Sequence, residues 1–239
     1  MSENILSKII ENKKNKINIL KKTISTDEIN ERIKKQTKFI NFKEKIKKNI
    51  NSNKTSIIAE IKKASPSAGI IVEDYNPIEI ANIYQQNKAT CLSILTEEDF
   101  FIDKFQIPLA KSYGADAILI ILAGLTDQKA SELYDEALKY DLTVIIEVHT
   151  IDEAKRALRF KNAIIGINNR NLKTLITDIN TTYEICNLLL NHNEPIIVES
   201  GIKTKEEILE IQKKTNIKSF LIGESLLKNL KENSIFSIL

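Results

Sequence analysis

From about residue 51 onward, two hydrophobic textures alternate along this chain. Short, β-branched, nearly continuous apolar runs occur at Ile57–Ile61, Cys91–Leu95, Ala117–Ile121, Val144–Val148, Ile164–Asn168, Ile196–Ser200 and Phe220–Glu224. Runs of this kind fit strands buried on both faces. Between them, at Pro77–Gln86, Asp103–Tyr113, Asp127–Tyr140, Ile151–Phe160, Asn180–Asn191 and Lys203–Thr215, apolar positions recur at helical spacing. Strand then helix, repeated, predicts parallel βα units. The repetition favours an α/β fold of the (βα)8 TIM-barrel type; an open doubly wound sheet is the alternative.

The first fifty residues read differently. They contain no Gly and no Pro, and Ile5, Ile9 and Ile10, then Ile17 and Leu20, recur at helical spacing. Ser25-Thr26-Asp27-Glu28 has the capping and early acidic residues of a helix start. Two or three amphipathic helices are expected. The domain reading is a helical extension at 1–50 packed on a βα barrel at 51–239, one domain in all. A solvated helical appendage is favoured over a lid across a site.

Composition then removes whole classes. Hydrophobic residues make up 42% and charged residues 28% of the 239, ordinary globular values that exclude a disordered or fibrous chain. A formal net charge of +3 predicts no nucleic-acid or bulk membrane binding, but suits a local anionic site. Apolar runs such as Ala117–Ala123 fall far short of the ~20 residues of a membrane span. The polar start of the chain does not read as a signal peptide. Cys91 and Cys186 read as reduced thiols in or near the core of a cytoplasmic protein. His149 and His192 stand apart with no metal-type spacing, so no metal site is expected.

Polar residues at the strand ends carry the chemistry. Glu60 and Lys62 are two apart on one strand and share a face. Glu147, Asn168 with Arg170, and Glu199 close later strands. Chemistry gathered at strand C-termini is how a (βα)8 barrel builds its site. Carboxylates beside a Lys and an Arg can shift one another's pKa values and move protons. An ion pair of Glu60 and Lys62 with a purely structural role is the competing reading. Glu199-Ser200-Gly201 and Gly223-Glu224-Ser225 close the last two strands. Glycine there lets backbone approach an anion, which suggests phosphate; plain turns are the bland alternative.

These segments resemble the indole-3-glycerol phosphate synthase family. The resemblance rests on 57–69, IIAEIKKASPSAG, and on 92–97, LSILTE. It rests equally on Ile146-Glu147-Val148-His149, 166–172 (GINNRNL), Val198-Glu199-Ser200-Gly201-Ile202 and Ile222-Gly223-Glu224-Ser225-Leu226. It covers nearly the whole chain, the helical N-terminal extension included. It implies a lyase of tryptophan biosynthesis, a decarboxylase that needs no cofactor. Such an enzyme turns 1-(2-carboxyphenylamino)-1-deoxyribulose 5-phosphate into indole-3-glycerol phosphate, CO2 and water. By resemblance, Glu147 handles protons in dehydration, and Glu60, Lys62, Asn168 and Glu199 bind substrate and stabilise charge. Ser65, Ser200, Gly201, Gly223 and the Glu224–Ser225 amides surround the phosphate; Arg170 and Ser200 help hold polar groups. The implied partner is a small phosphorylated substrate, without nucleic acid or membrane, and association with other tryptophan-pathway enzymes is possible within the family.

One departure stands out. Seven strands are recognisable, not eight. In the family the Leu-Thr-Glu strand is followed by a helix and a strand ending in a Leu-Arg-Lys-Asp-Phe-like motif, whose lysine is a principal general acid. Here Leu95-Thr96-Glu97-Glu98-Asp99-Phe100-Phe101 runs directly into 102–107, IDKFQI. A unit of ~25 residues is missing by this comparison. In one register Glu98 stands where the lysine belongs, and Lys104 is the nearest lysine in sequence. A gapped or distorted barrel is therefore expected, with activity reduced or lost. An impaired relative that keeps phosphate-ligand binding, or a different phosphate-sugar barrel such as an isomerase, are the competing functions.

Overall fold

The computed structural model describes residues 5–65, 69–95, 100–230 and 234–239. Three helices come first: α1 (Ile5–Thr23), α2 (Thr26–Lys34) and α3 (Phe42–Asn51). There follow β1 (Ser56–Ile61), a two-residue-stranded hairpin of β2 (Ala64–Ser65) and β3 (Gly69–Ile70), α4 (Pro77–Gln86) and β4 (Cys91–Ile94). The remainder alternates: α5 (Gln106–Ser112), β5 (Ala117–Ile121), α6 (Asp127–Lys139), β6 (Thr143–Val148), α7 (Ile151–Ala157) and β7 (Ile164–Asn168). Next come α8 (Asn180–Cys186), β8 (Ile196–Glu199), α9 (Lys205–Thr215), β9 (Ser219–Ile222) and α10 (Glu224–Lys228).

The seven long strands form one parallel sheet in the order β4-β1-β9-β8-β7-β6-β5. The first and last strands of a barrel-like circuit, β1 and β9, are paired, so the sheet curls as a barrel does. The circuit stays open between β4 and β5. Elsewhere, successive strands of the circuit joined through a helix are hydrogen-bonded neighbours. β4 and β5 are joined through α5 and are not, which leaves room for a strand between them. The expected gapped barrel of seven strands is what the fold contains.

Two apolar layers hold the sheet. Outward residues such as Ile57, Ile120, Ile146, Ile165, Val198 and Phe220 pack under the outer helices. Inward residues Ile58, Ile145, Ile164 and Ile197 form a separate inner layer with Phe42 and Ile46 of α3. Helix α3 thus plugs the N-terminal end of the half-barrel, so the expectation of a solvated appendage fails for it. The periodicity of 1–50 marks an apolar face but not what that face meets. Lys43 and Lys47 fasten α3 to Glu194 at 3.3 and 2.8 Å. Gln36, just past α2, donates to the Lys111 and Ser112 carbonyls at the end of α5, both at 2.8 Å. Helix α1 contacts the 122–124 turn that follows β5, and its Lys21 pairs with Asp103 at 2.8 Å. It therefore lies at the C-terminal end of the strands, beside the opening, with Lys13 and Ile17 buried.

Most boundaries agree with the sequence pattern, and the differences have local causes. The last strand stops at Ile222, and Glu224 starts α10 rather than ending a strand. Ser200 lies past β8 with φ +65°, outside strand geometry. α5 begins at Gln106 because the Gln106 side chain accepts from the Ile102 and Asp103 amides and holds those residues in a turn. The helical stretch after Asn180 tightens into a 3-10 turn at Asn187–Leu189. No described helix is long and apolar enough to cross a membrane.

Candidate active site

Glu60 ends β1 on its inward face and Lys62 follows two residues on. Their side chains form an ion pair at the mouth, mostly shielded from water. A Cβ at Gly223, at the end of the neighbouring β9, would overlap the Glu60 carboxylate and come within 3.0 Å of Lys62 Nζ. Glycine at 223 thus makes room for the pair. Tyr84 of α4 supports the same strand from outside, donating its hydroxyl to the Glu60 carbonyl at 3.2 Å.

Across the mouth, register brings three more predicted residues together. Glu147 on β6 stands beside Gly166 on β7, and Asn168 on β7 stands beside Glu199 on β8. A Cβ at Gly166 would overlap Glu199 Oε1, so the Glu199 carboxyl lies across this glycine toward Glu147. Both glutamates are buried. Two carboxyls so close cannot both ionise cheaply. Burial, then the Glu147 charge and hydrogen bond, then the Glu60 charge, push Glu199 well above the usual carboxylate range. Burial pushes Glu147 upward too, but hydrogen bonding and charge from His149, with hydrogen bonds from Glu199 and Asn168, outweigh it and hold Glu147 below the usual range. Of the pair, Glu147 is the stronger acid and Glu199 the weaker, the one that holds its proton to higher pH. Glu199 Oε1 is buried without a hydrogen-bond partner among the described residues.

The glycine-bearing ends of β8 and β9 lie beside this group. Ser200 and Gly201 follow β8 with φ of +65° and +83°, and a Cβ at Gly201 would sit 2.6 Å from Thr177 Cγ2. Only glycine fits there without displacing the β7 loop. Asn169 locks that loop: its amide donates to the Glu199 carbonyl at 2.9 Å, and its Nδ2 to the Ser200 carbonyl at 3.1 Å. Its Oδ1 accepts from Thr182 Oγ1 at 2.7 Å. Asn168 Oδ1 accepts from the Arg170 amide at 3.0 Å, which ties the Arg170 backbone to the site. Ser225 Oγ donates to the Ile202 carbonyl at 2.8 Å, joining the two glycine-bearing turns. The Glu224 carboxylate is held low first by its hydrogen bond to Lys228, with further help from the Arg170 and Lys62 charges. Arg170 and Lys62 therefore lie on the same side of the mouth.

Of the predicted site residues, only Ser65 is not placed in full: its backbone lies in β2 and its side chain is outside the described residues. Thr96, Glu97, Glu98 and Asp99, which include the residue that one register sets at the family's lysine position, also fall outside them. Lys104 is exposed on the turn before α5. Both cysteines are free, and burial pushes the Cys91 thiol up to about 12, which makes it a poor nucleophile. No cluster of metal-binding side chains occurs among the described residues.

The structure adds residues that sequence reasoning missed. Gly166 was part of a motif but not read as space for Glu199. Asn169 and Thr182 hold the β7 loop. The His149 ring lies between Glu147 and Glu153: its Nε2 is 3.0 Å from Glu147 Oε1, and its Nδ1 is 3.0 Å from Glu153 Oε2. A signal was present in the i, i+4 spacing of His149 and Glu153 across a helix start.

Comparison with known proteins accounts for this constellation. The family model for indole-3-glycerol phosphate synthase matches in two stretches, residues 6–102 and 98–237. The indole-3-glycerol phosphate synthase of Acinetobacter baylyi is 38% identical over 213 residues, 79% of each chain. That of Zymomonas mobilis subsp. pomaceae is 37% identical over 249 residues, 94% of each chain. Among solved structures, the tryptophan synthase alpha subunit of Legionella pneumophila matches with a TM-score of 0.54 at 11% identity, over 84% of this chain and 94% of that one. A tryptophan synthase chain of M. tuberculosis matches at 0.54 and 10%, over 83% and 95%. At such identity the structural matches speak for the barrel fold alone, whereas the sequence matches reach the strand ends that carry Glu60, Glu147, Asn168 and Glu199. The chain belongs to the indole-3-glycerol phosphate synthase family.

Proposed function

We propose that this chain carries out the family's carboxy-lyase reaction of tryptophan biosynthesis at the strand ends just described. The substrate is 1-(2-carboxyphenylamino)-1-deoxyribulose 5-phosphate. The ketone oxygen takes up a proton as the ring carbon bearing the carboxylate attacks the carbonyl carbon. That carboxylate leaves as CO2, and its bonding electrons restore the aromatic ring. The new hydroxyl then leaves as water with a second proton, and the five-membered ring gives one proton to a base. Two protons go in and one comes out, so the site needs donors and an acceptor side by side.

The observation that carries this reading is the split carboxyl pair. Glu147, held low, is the member suited to accept the ring proton. Glu199, held high, is the member suited to donate. Lys62, held by Glu60, supplies a cation and a second donor beside the ketone. Asn168 orients the reacting centre. Gly201 and Gly223 let backbone approach the phosphate, with Ser65, Ser200 and the Glu224–Ser225 amides around it and Arg170 as countercharge. Helix α1, placed at the strand C-termini beside the opening, acts as a lid, and residues 1–50 and 51–239 work as one domain.

The absence of one strand–helix unit, with its lysine, belongs to the same proposal. Three observations support it. The circuit is open between β4 and β5. The two family-model stretches share residues 98–102, next to the point where the sequence departs from the family. An Acinetobacter baumannii relative aligns over 260 residues, more than the 239 of this chain, so the alignment must carry gaps here. Lost general acid catalysis typically costs ~10²–10⁴ in rate, and we expect turnover below that of full-length relatives by about this range. The same reading places the protein in the cytoplasm, with association with other enzymes of the pathway open to co-purification.

The test is a turnover assay with protein from a host lacking its own synthase. The chain has no Trp, so indole product fluorescence rises over a tyrosine background. Slow turnover that disappears in Glu147→Gln is expected. Substrate binding without turnover would replace this reading with an impaired relative that retains the ligand.

A further inference from the structure

We infer that His149 is a positioning residue, a cationic clamp that fixes Glu147 as the ionised member of the carboxyl pair and so leaves the proton on Glu199. This rests on the reading above, in which those two residues exchange protons with the substrate.

The geometry is a chain of three side chains from two elements. His149 follows β6 directly, one residue past Val148, so its ring returns to the same side as Glu147. Helix α7 starts at Ile151, capped by Thr150, whose hydroxyl accepts from the Glu153 amide at 3.2 Å. That cap sets the first turn so that Glu153 reaches back. Its Oε2 accepts from the His149 amide at 2.8 Å and lies 3.0 Å from His149 Nδ1. One carboxylate thus binds both backbone and ring of the same histidine, which leaves little rotational freedom. The far nitrogen, Nε2, lies 3.0 Å from Glu147 Oε1 without meeting hydrogen-bond geometry, so this contact acts through charge; the histidine side chain is 5% exposed.

A ring between two carboxylates is complementary to both only when both nitrogens carry protons. The charges that raise it come from Glu147 on its own strand and Glu153 on α7. From the neighbouring elements, β7 presents neutral Asn168, β8 presents Glu199, and β1 presents Glu60 neutralised by Lys62. Arg156 of α7 is spent on Asp127 of α6 and on the Leu122 and Leu125 carbonyls of the 122–124 turn. Burial opposes the ring's charge, but the two carboxylates prevail and raise it to about 9. The imidazolium then decides which of two buried glutamates ionises: the one it touches. Glu199 has no ion-pair partner among the described residues and is the member whose proton is held more tightly. The arrangement separates base from acid by charge placed on one side of the pair.

The chain has only two histidines, which makes the clamp directly visible. Histidine-labelled protein followed by NMR from pH 5 to 10, with His192→Gln for assignment, should show one ring still protonated at pH 8 and titrating at about 9. In Glu147→Gln and in Glu153→Gln that titration moves down. In His149→Gln, kcat at pH 7 falls about tenfold or more while KM changes little. The acid limb of its kcat–pH profile moves to higher pH, because Glu147 has lost the cation that kept it ionised. His149→Lys, which restores a cation, returns the limb toward its original position. A merely structural histidine would alter stability but not the position of that limb. A His149 ring that titrates at or below about 6.5, or a limb unmoved in His149→Gln, overturns the proposal. The ring titration and its response to Glu147→Gln decide the clamp in a chain with no turnover as well, so loss of the enzymatic reading and loss of the clamp give different results.

Discussion

At the scale of single residues, the site depends on what is absent as much as on what is present. Gly166 sits inside β7, where glycine packs nothing and weakens a strand. Its role is spatial, since a methyl group there would occupy the place of the Glu199 carboxyl. Gly166→Ala should therefore fold, because its backbone needs no left-handed φ. It should still displace Glu199 from Glu147, and misplacement by about 1 Å can cost ~10²-fold in rate. Turnover and thermal denaturation measured together check this: unchanged kcat in a folded variant would mean that Glu199 has no fixed place in the chemistry. The same residue shows what was legible in the sequence. Glu60, Lys62, Glu147, Asn168 and Glu199 stood out because charge at a strand end is anomalous, and register brought them to one mouth. Gly166 and His149 did not, because their roles lie in distances between strands and helices that spacing along the chain does not encode. The protonation split of the glutamates was legible only as a possibility; which one ionises depends on the ring that touches Glu147.

At the scale of elements, the alternation of apolar runs and helical stretches was enough to place every long strand, since runs buried on both faces have few other readings. What it could not give was the partner of each face. α3 looks amphipathic and solvated in sequence, yet Phe42 and Ile46 complete the inner layer of the half-barrel. The reverse holds for β4. Its sequence reads as a buried strand, but Leu92 is 40% and Ile94 62% exposed, and among the described residues no strand pairs on its far side. Unpaired apolar edges invite association between copies. Ile94→Lys should reduce self-association in sedimentation at high concentration. It should change folding stability by no more than about 0.5 kcal/mol, because the side chain is already largely in water. A large loss of stability would instead mean that Ile94 is covered in solution.

At the scale of the whole molecule, the open circuit links stability to catalysis. Six strand pairings curl the sheet far enough to bring the Glu60, Glu147 and Glu199 charges within reach of one another. Glu199 on β8 sits mid-sheet, and Glu60 on β1 and Glu147 on β6 each sit one paired strand in from an open edge, so the group does not itself lie on an unpaired strand. Between β4 and β5 the sheet is unpaired, and the proposed missing unit would take with it both a wall and the lysine that the family places there. The two effects are separable. Inserting a strand–helix unit of ~25 residues from a full-length relative between β4 and α5 should pair both open edges and raise Tm. If the inserted strand brings its lysine, kcat should also rise, by up to ~10²–10⁴. The same insertion with that lysine changed to methionine should keep the gain in Tm and lose most of the gain in kcat. Were neither Tm nor kcat to rise, β4 and β5 would not flank a place for one strand. The low rate would then have to be sought in the remaining half of the site, at the Glu147–Glu199 pair itself.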